Sequence, residues 1–116
     1  MIAVIFEARP RPERKDAYFA AAESLGPLLQ DIDGFISIER FESVANPGKV
    51  LSLSFWRDEE AVRQWRNLEE HRRVQRAGRE SVFADYRLRV AAVIRDYGMK
   101  ERGAAPADSQ HAHDGR

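Results

Sequence analysis

The chain has 116 residues, 43% of them hydrophobic and 33% charged, with nineteen Lys and Arg balanced by nineteen Asp and Glu. That length fits one domain with one core under a charged shell. A formal net charge of zero argues against a dedicated nucleic-acid binder, whose affinity comes from neutralising phosphates. The absence of cysteine excludes disulfides, thiolate catalysis, zinc–thiolate sites and iron–sulfur clusters.

Ile2 to Ala8 is short, apolar and β-branched, which predicts a first strand with apolar residues on both faces. The run is too short for a signal-peptide core or a membrane span, so the expectation is a cytoplasmic protein without a membrane partner. Arg9-Pro10-Arg11-Pro12 breaks the strand. From Glu13 the period changes: Ala17, Phe19 or Ala20, Ser24, Leu25 and Leu28 recur at three- and four-residue steps, as on an amphipathic helix. Asp31-Ile32-Asp33-Gly34 is turn chemistry and closes it.

Phe35 to Val44 predicts a second strand, with Phe35, Ser37, Glu39 and Phe41 on one side and Ile36, Ile38, Arg40 and Glu42 on the other. Asn46-Pro47-Gly48-Lys49 is a reverse turn, and Val50 to Trp56 is the antiparallel partner. Asp58 is placed to cap a helix over Glu59–Arg66, and Asn67 with Glu70 to cap another over Leu68–Glu80. Tyr86 to Tyr97 reads as a long final strand, and no internal repeat is present. Residues 101–116 hold little that could be buried and are expected to be a flexible or partner-docked tail behind a domain of residues 1–100.

The order is βαββαβ, an α+β, ferredoxin-like arrangement with helices on one face of an antiparallel sheet. Both faces of its strands carry apolar residues, so the bare face needs cover. A second copy is the expected cover, giving a homodimer packed sheet to sheet.

The run from Phe55-Trp56-Arg57-Asp58 through Trp65, then Glu70-His71-Arg72-Arg73-Val74-Gln75, resembles the antibiotic biosynthesis monooxygenase (ABM) family. So do the Asp33-Gly34-Phe35 turn and the closing stretch from Phe83 to Met99, the latter resembling a bacterial subgroup of it. The resemblance implies a dimeric α+β barrel. It also implies one of two chemistries: oxygenation of aromatic anthrones to quinones without flavin or metal, or haem degradation. In the haem pattern Trp65 matches a tryptophan, while Glu7 or Ala8 stands for an asparagine and Val74 or Gln75 for the histidine ligand. Neither Val74 nor Gln75 supplies an imidazole, though His71 lies close by in sequence. In the anthrone pattern Trp56 matches, Ser52 stands for an asparagine and Val62 for a tyrosine.

Trp56 and Trp65 can wall a slot for a flat substrate or pack a strand–helix junction. His71, the one histidine before residue 100, has the ordinary pKa of a proton acceptor and also the setting of a solvated helix face. Ser52 and Ser54 share a side of the third strand with Trp56, as carbonyl donors or as small residues making room for a helix. Arg40, Arg87, Arg89 and Arg95 lie on strands, where pairing with Glu7, Glu39, Glu42 or Asp96 is expected ahead of an anion site. The mixed-charge stretch holding Arg72, Arg73, Arg76 and Arg79 reads as a solvated face. His111 and His113 lack a third metal ligand. No phosphate loop or nucleophile elbow occurs, and no cofactor is expected.

The leading functional expectation is a cofactor-independent monooxygenase acting on a small aromatic or polyketide-like substrate. His71 would be its base, Ser52 or Ser54 its donor, and Trp56 with Trp65 its walls. A non-catalytic protein binding a hydrophobic small molecule is the alternative, and haem binding or degradation the third.

Overall fold

The computed structural model describes residues 1–68, 72, 73, 76, 79 and 82–114. Its sheet is built from β1 (Ile2–Pro10), β2 (Phe35–Glu42), β3 (Val50–Trp56) and β4 (Phe83–Ala92), in the order β2-β3-β1-β4 with every pair antiparallel. The helices are α1 (Lys15–Ser24), α2 (Gly26–Gln30), α3 (Glu59–Arg66) and α4 (Ala107–His113). This is the expected ferredoxin-like α+β order. Most of the helix expected over Leu68–Glu80 lies outside the described residues; Arg72, Arg73 and Arg76 within it are helical. No helix of the described residues is long and apolar enough to cross a membrane.

The first helical segment differs from its expected stripe. The buried residues are Tyr18, Ala22, Leu25 and Leu29, at steps of four, three and four, rather than Ala17, Ser24 and Leu28. Small residues on neighbouring faces masked the true stripe, because alanine marks either side of a helix equally well. The segment also divides at Leu25: Gly26-Pro27 opens α2, with proline tolerated in a first turn, where its missing N–H is not needed.

The second strand departs from strict alternation. Its register with β3 shifts between Phe35 and Ser37, so Phe35 faces Trp56 while Ile38 faces Ser54. Phe35 and Ile38 therefore pack on the same core cluster, contrary to the two sides expected for them. A bulge inserts one residue and reverses the facing of everything beyond it. As a result Phe35, Ile38 and Arg40 all look toward the helices.

The final strand is displaced from the expected Tyr86–Tyr97 by the length of its partner. β1 reaches Pro10, so β4 starts early, with Phe83 opposite Pro10 across a register shift. At the other end Val93 N–H donates to the Met1 carbonyl at 3.0 Å. The following residues turn away. Arg102 organises them: its guanidinium lies 5.1 Å from the Tyr97 ring centroid and donates to Asp114 (3.1 Å), Ser109 Oγ (2.6 Å) and the Gly98 carbonyl (3.2 Å).

The turn before β2 holds the strand–helix junction together. Gly34 has φ +98°, and its carbonyl accepts from Arg57 N–H at 2.7 Å. A Cβ at this position would stand 2.9 Å from the Ala61 Cβ. Gly34→Ala is therefore expected to cost about 1–3 kcal/mol, from a left-handed backbone and a clash together. Urea denaturation checks this; a loss below about 0.5 kcal/mol, the range of a neutral surface change, would contradict it.

Candidate functional site

Pairing puts Val4, Ser54, Ile38 and Val90 in one row across the sheet and Phe6, Ser52, Arg40 and Leu88 in the next. These rows face α1 and α3. Between them lies a cavity of about 260 Å³, closed by Tyr18, Ala22 and Leu25 from one helical segment and by Val62 and Trp65 from α3. Leu88 and Val90 at its β4 side are 52% and 43% exposed, so the cavity opens there.

α3 is fixed by a side-chain cap. Asp58 has extended backbone and accepts from Ala61 N–H at 3.0 Å, as the sequence predicts. That hydrogen bond, followed by the Arg57 guanidinium, holds the Asp58 carboxyl below its ordinary pKa. Arg57 in turn grips Asp33 through two nitrogens, at 3.0 and 3.2 Å. Asn67 is the residue on which α3 ends. Its backbone N–H and its side-chain amide both donate to the Arg63 carbonyl, closing α3; its expected capping partner, Glu70, lies outside the described residues.

Four of the five expected site residues come together. Trp56, 1% exposed, sits at the floor, edge-on to Phe35 at 5.2 Å and 6.4 Å from the Trp65 ring. Ser52 and Ser54 are 9% and 5% exposed and line the same space. The fifth, His71, lies outside the described residues, as do Val74 and Gln75. The Trp56 indole N–H donates to Ser54 Oγ at 2.9 Å. This settles the polarity of the pair. With Ser54 as acceptor, its hydroxyl proton remains to be given to something else.

Arg40, Tyr18 and Arg66 are polar residues of the cavity that were not among the expected site residues. The expected ion pairing holds for Arg89, 3.3 Å from Glu7, but Arg40 has no carboxylate among the described residues: Glu42 is taken by Lys15 at 2.7 Å. Tyr18 is 7% exposed. Burial pushes its phenol above the ordinary value, and the adjacent Arg40 guanidinium offsets only part of that. The phenol is thus a protonated donor at neutral pH. The lone aromatic on the four-residue stripe Tyr18–Ala22 was the signal that would have found it.

Residues 1–77 match the family described as antibiotic biosynthesis monooxygenase. Jasmonate monooxygenase ABM of Pyricularia oryzae is 50% identical over 93 residues, covering 80% of this chain; the chain spans 43% of that protein's length. The uncharacterized protein YqjZ of Bacillus subtilis is 31% identical over 99 residues, covering 85% of this chain and 84% of its own. Among solved structures, Rv0793 of Mycobacterium tuberculosis superposes with TM-score 0.74 at 21% identity, covering 84% of this chain and 98% of its own. A conserved protein of Methanosarcina mazei does so with TM-score 0.70 at 18% identity, covering 78% and 89%. At those identities the structures establish the shared fold. The sequence match over two thirds of the chain establishes more: this protein belongs to the antibiotic biosynthesis monooxygenase family.

Proposed function

We propose that the protein is a monooxygenase that oxidises an activated methylene of a small aromatic or polyketide-like substrate, using molecular oxygen and no cofactor. The observation that carries this reading is the Trp56–Ser54 hydrogen bond, which leaves a buried hydroxyl proton available inside an apolar cavity. That proton is suited to a carbonyl whose oxygen gains charge as the neighbouring carbon is deprotonated. His71 is assigned the proton, as the one imidazole before residue 100. Ser52 supplies a further donor to the substrate one row along the sheet, and Trp56 and Trp65 flank the ring system.

The chemistry balances without a further reactant. Removal of one C–H proton gives a carbanion delocalised into the adjacent carbonyl. It reduces O₂ and bonds to it, giving a hydroperoxide once protonated. Loss of the remaining C–H proton with cleavage of the O–O bond leaves a new carbonyl and water. The net change is CH₂ + O₂ → C=O + H₂O. The protein's part is to exclude water, orient the ring and stabilise the enolate oxygen.

An oxygen electrode with an anthrone as probe tests this. Uptake of one O₂ per quinone formed, above the spontaneous rate and lost in His71→Ala, is the expected result. Saturable anthrone binding with no enzyme-dependent uptake would replace the reading with a binding protein.

The assembly proposed is a homodimer through the sheet face turned away from the helices. Proteins of this family are commonly dimeric. On this chain the face carries Ile5, Leu51, Leu53 and Phe55, together with Phe41 at 42% exposure. A carboxylate placed at Leu53 would be buried in the interface beside Glu39, its neighbour across the ladder. Leu53→Glu is expected to halve the mass measured by light scattering; an unchanged dimer would remove this face from consideration.

A further inference from the structure

Arg40 is out of place on the sheet floor of a mostly apolar cavity, whose other arginine, Arg66, comes from the end of α3. It projects from β2 toward the helices, directly across the ladder from Ser52. Its Nε is enclosed and has no hydrogen-bond partner, and among the described residues no carboxylate reaches the guanidinium. A buried donor of a permanently charged group is ordinarily paired, since leaving it bare forfeits the hydration it had in the unfolded chain. Around it are two more donors, the Tyr18 phenol and the Ser52 hydroxyl, and the walls beyond are Val4, Phe6, Leu25 and Trp56. Three donors at one end of an apolar space, with no carboxylate among the described residues to satisfy them, describe the complement of an anion on a hydrophobic body.

We infer that Arg40, with Tyr18 and Ser52, binds the carboxylate of an amphipathic acid whose apolar part fills the cavity toward Trp56 and Trp65. The inference deepens the proposed function by assigning the substrate class. A planar carboxylate is favoured because a guanidinium presents its N–H groups as a fork matched to two oxygens. A carboxylate held at the Arg40 end also sets which carbon of the body lies beside Ser54, one residue row further along the sheet. Arg40 is therefore a substrate-binding residue that selects and aligns.

The probes are phenylbutyrate and phenylbutanol, alike in shape and differing in charge, titrated under nitrogen against tryptophan fluorescence at neutral pH. The wild type is expected to bind the acid at least about tenfold more tightly than the alcohol, as one charge-assisted pair allows. Arg40→Gln should abolish that preference while leaving the alcohol within about twofold. Arg40→Lys, which keeps the charge and loses the fork, should retain only part of it. Equal wild-type affinity for acid and alcohol would overturn the inference whether or not any variant folds, and so would a preference that survives Arg40→Gln. Because no oxygen is present, the outcome is independent of turnover: oxygenation can fail while the acid preference stands, and the reverse.

Discussion

Trp56→Ala is expected to cost about 3–5 kcal/mol, a large share of the stability of a domain this size. Trp56 is 1% exposed and belongs to the same core cluster as Leu29, Ala61 and Val62, with Phe35 and Trp65 packed around it. Removing the indole joins its volume to a cavity that is already present, so neighbouring side chains have little to collapse onto. The cost should therefore lie at the upper end of that range. Trp56→Phe separates packing from hydrogen bonding: most of the ring contact remains, and only the N–H to Ser54 is lost. Equilibrium denaturation in urea measures both. An alanine variant within about 1 kcal/mol of wild type would mean that the floor of the site does not support the fold.

Ser54→Ala is expected to lower oxygenation about 100- to 1000-fold, the usual loss when one donor to a developing oxyanion is removed. Its stability cost has a separate origin. The Trp56 N–H loses its acceptor while remaining buried, which costs about 1–3 kcal/mol. The double variant Ser54→Ala/Trp56→Phe distinguishes the two effects, because it removes donor and acceptor together. Stability should then recover relative to the sum of the single changes, since the two residues share one hydrogen bond. Turnover should not recover, because the donor proposed for the developing oxyanion is the Ser54 hydroxyl. Recovery of turnover in the double variant would show that the serine acts only as the acceptor for Trp56.

The candidate site is partly legible in the amino-acid sequence. Ser52, Ser54 and Trp56 stand two residues apart on one strand, and in a pleated strand that spacing alone places them on one face. Asp58 declared its cap for the same kind of local reason: a short carboxylate just before a helical run reaches the first free N–H groups. Arg40 was legible as a strand arginine but not as one that no carboxylate of the described residues reaches. Whether Glu42 or Glu7 reaches Arg40 or instead Lys15, Lys49 and Arg89 is settled by distances between segments far apart in the chain. Sequence supplies no such distances.

The same division runs through the whole molecule. The amino-acid sequence by itself determined the order of strands and helices, the turns at Gly34 and Gly48, and the side of β3 that holds the two serines. Each depends on backbone preferences or on a period of two residues, which act over a few neighbours. The tertiary structure decided where β4 begins and ends, because a strand lasts only as long as its partner offers hydrogen bonds. It decided that Phe35 and Ile38 share a face, because a bulge is a property of two strands in register. It also decided that Arg40 has Tyr18 and Ser52 beside it, because only packing α1 onto the sheet brings a phenol, a hydroxyl and a guanidinium whose Nε has no partner to one end of one cavity.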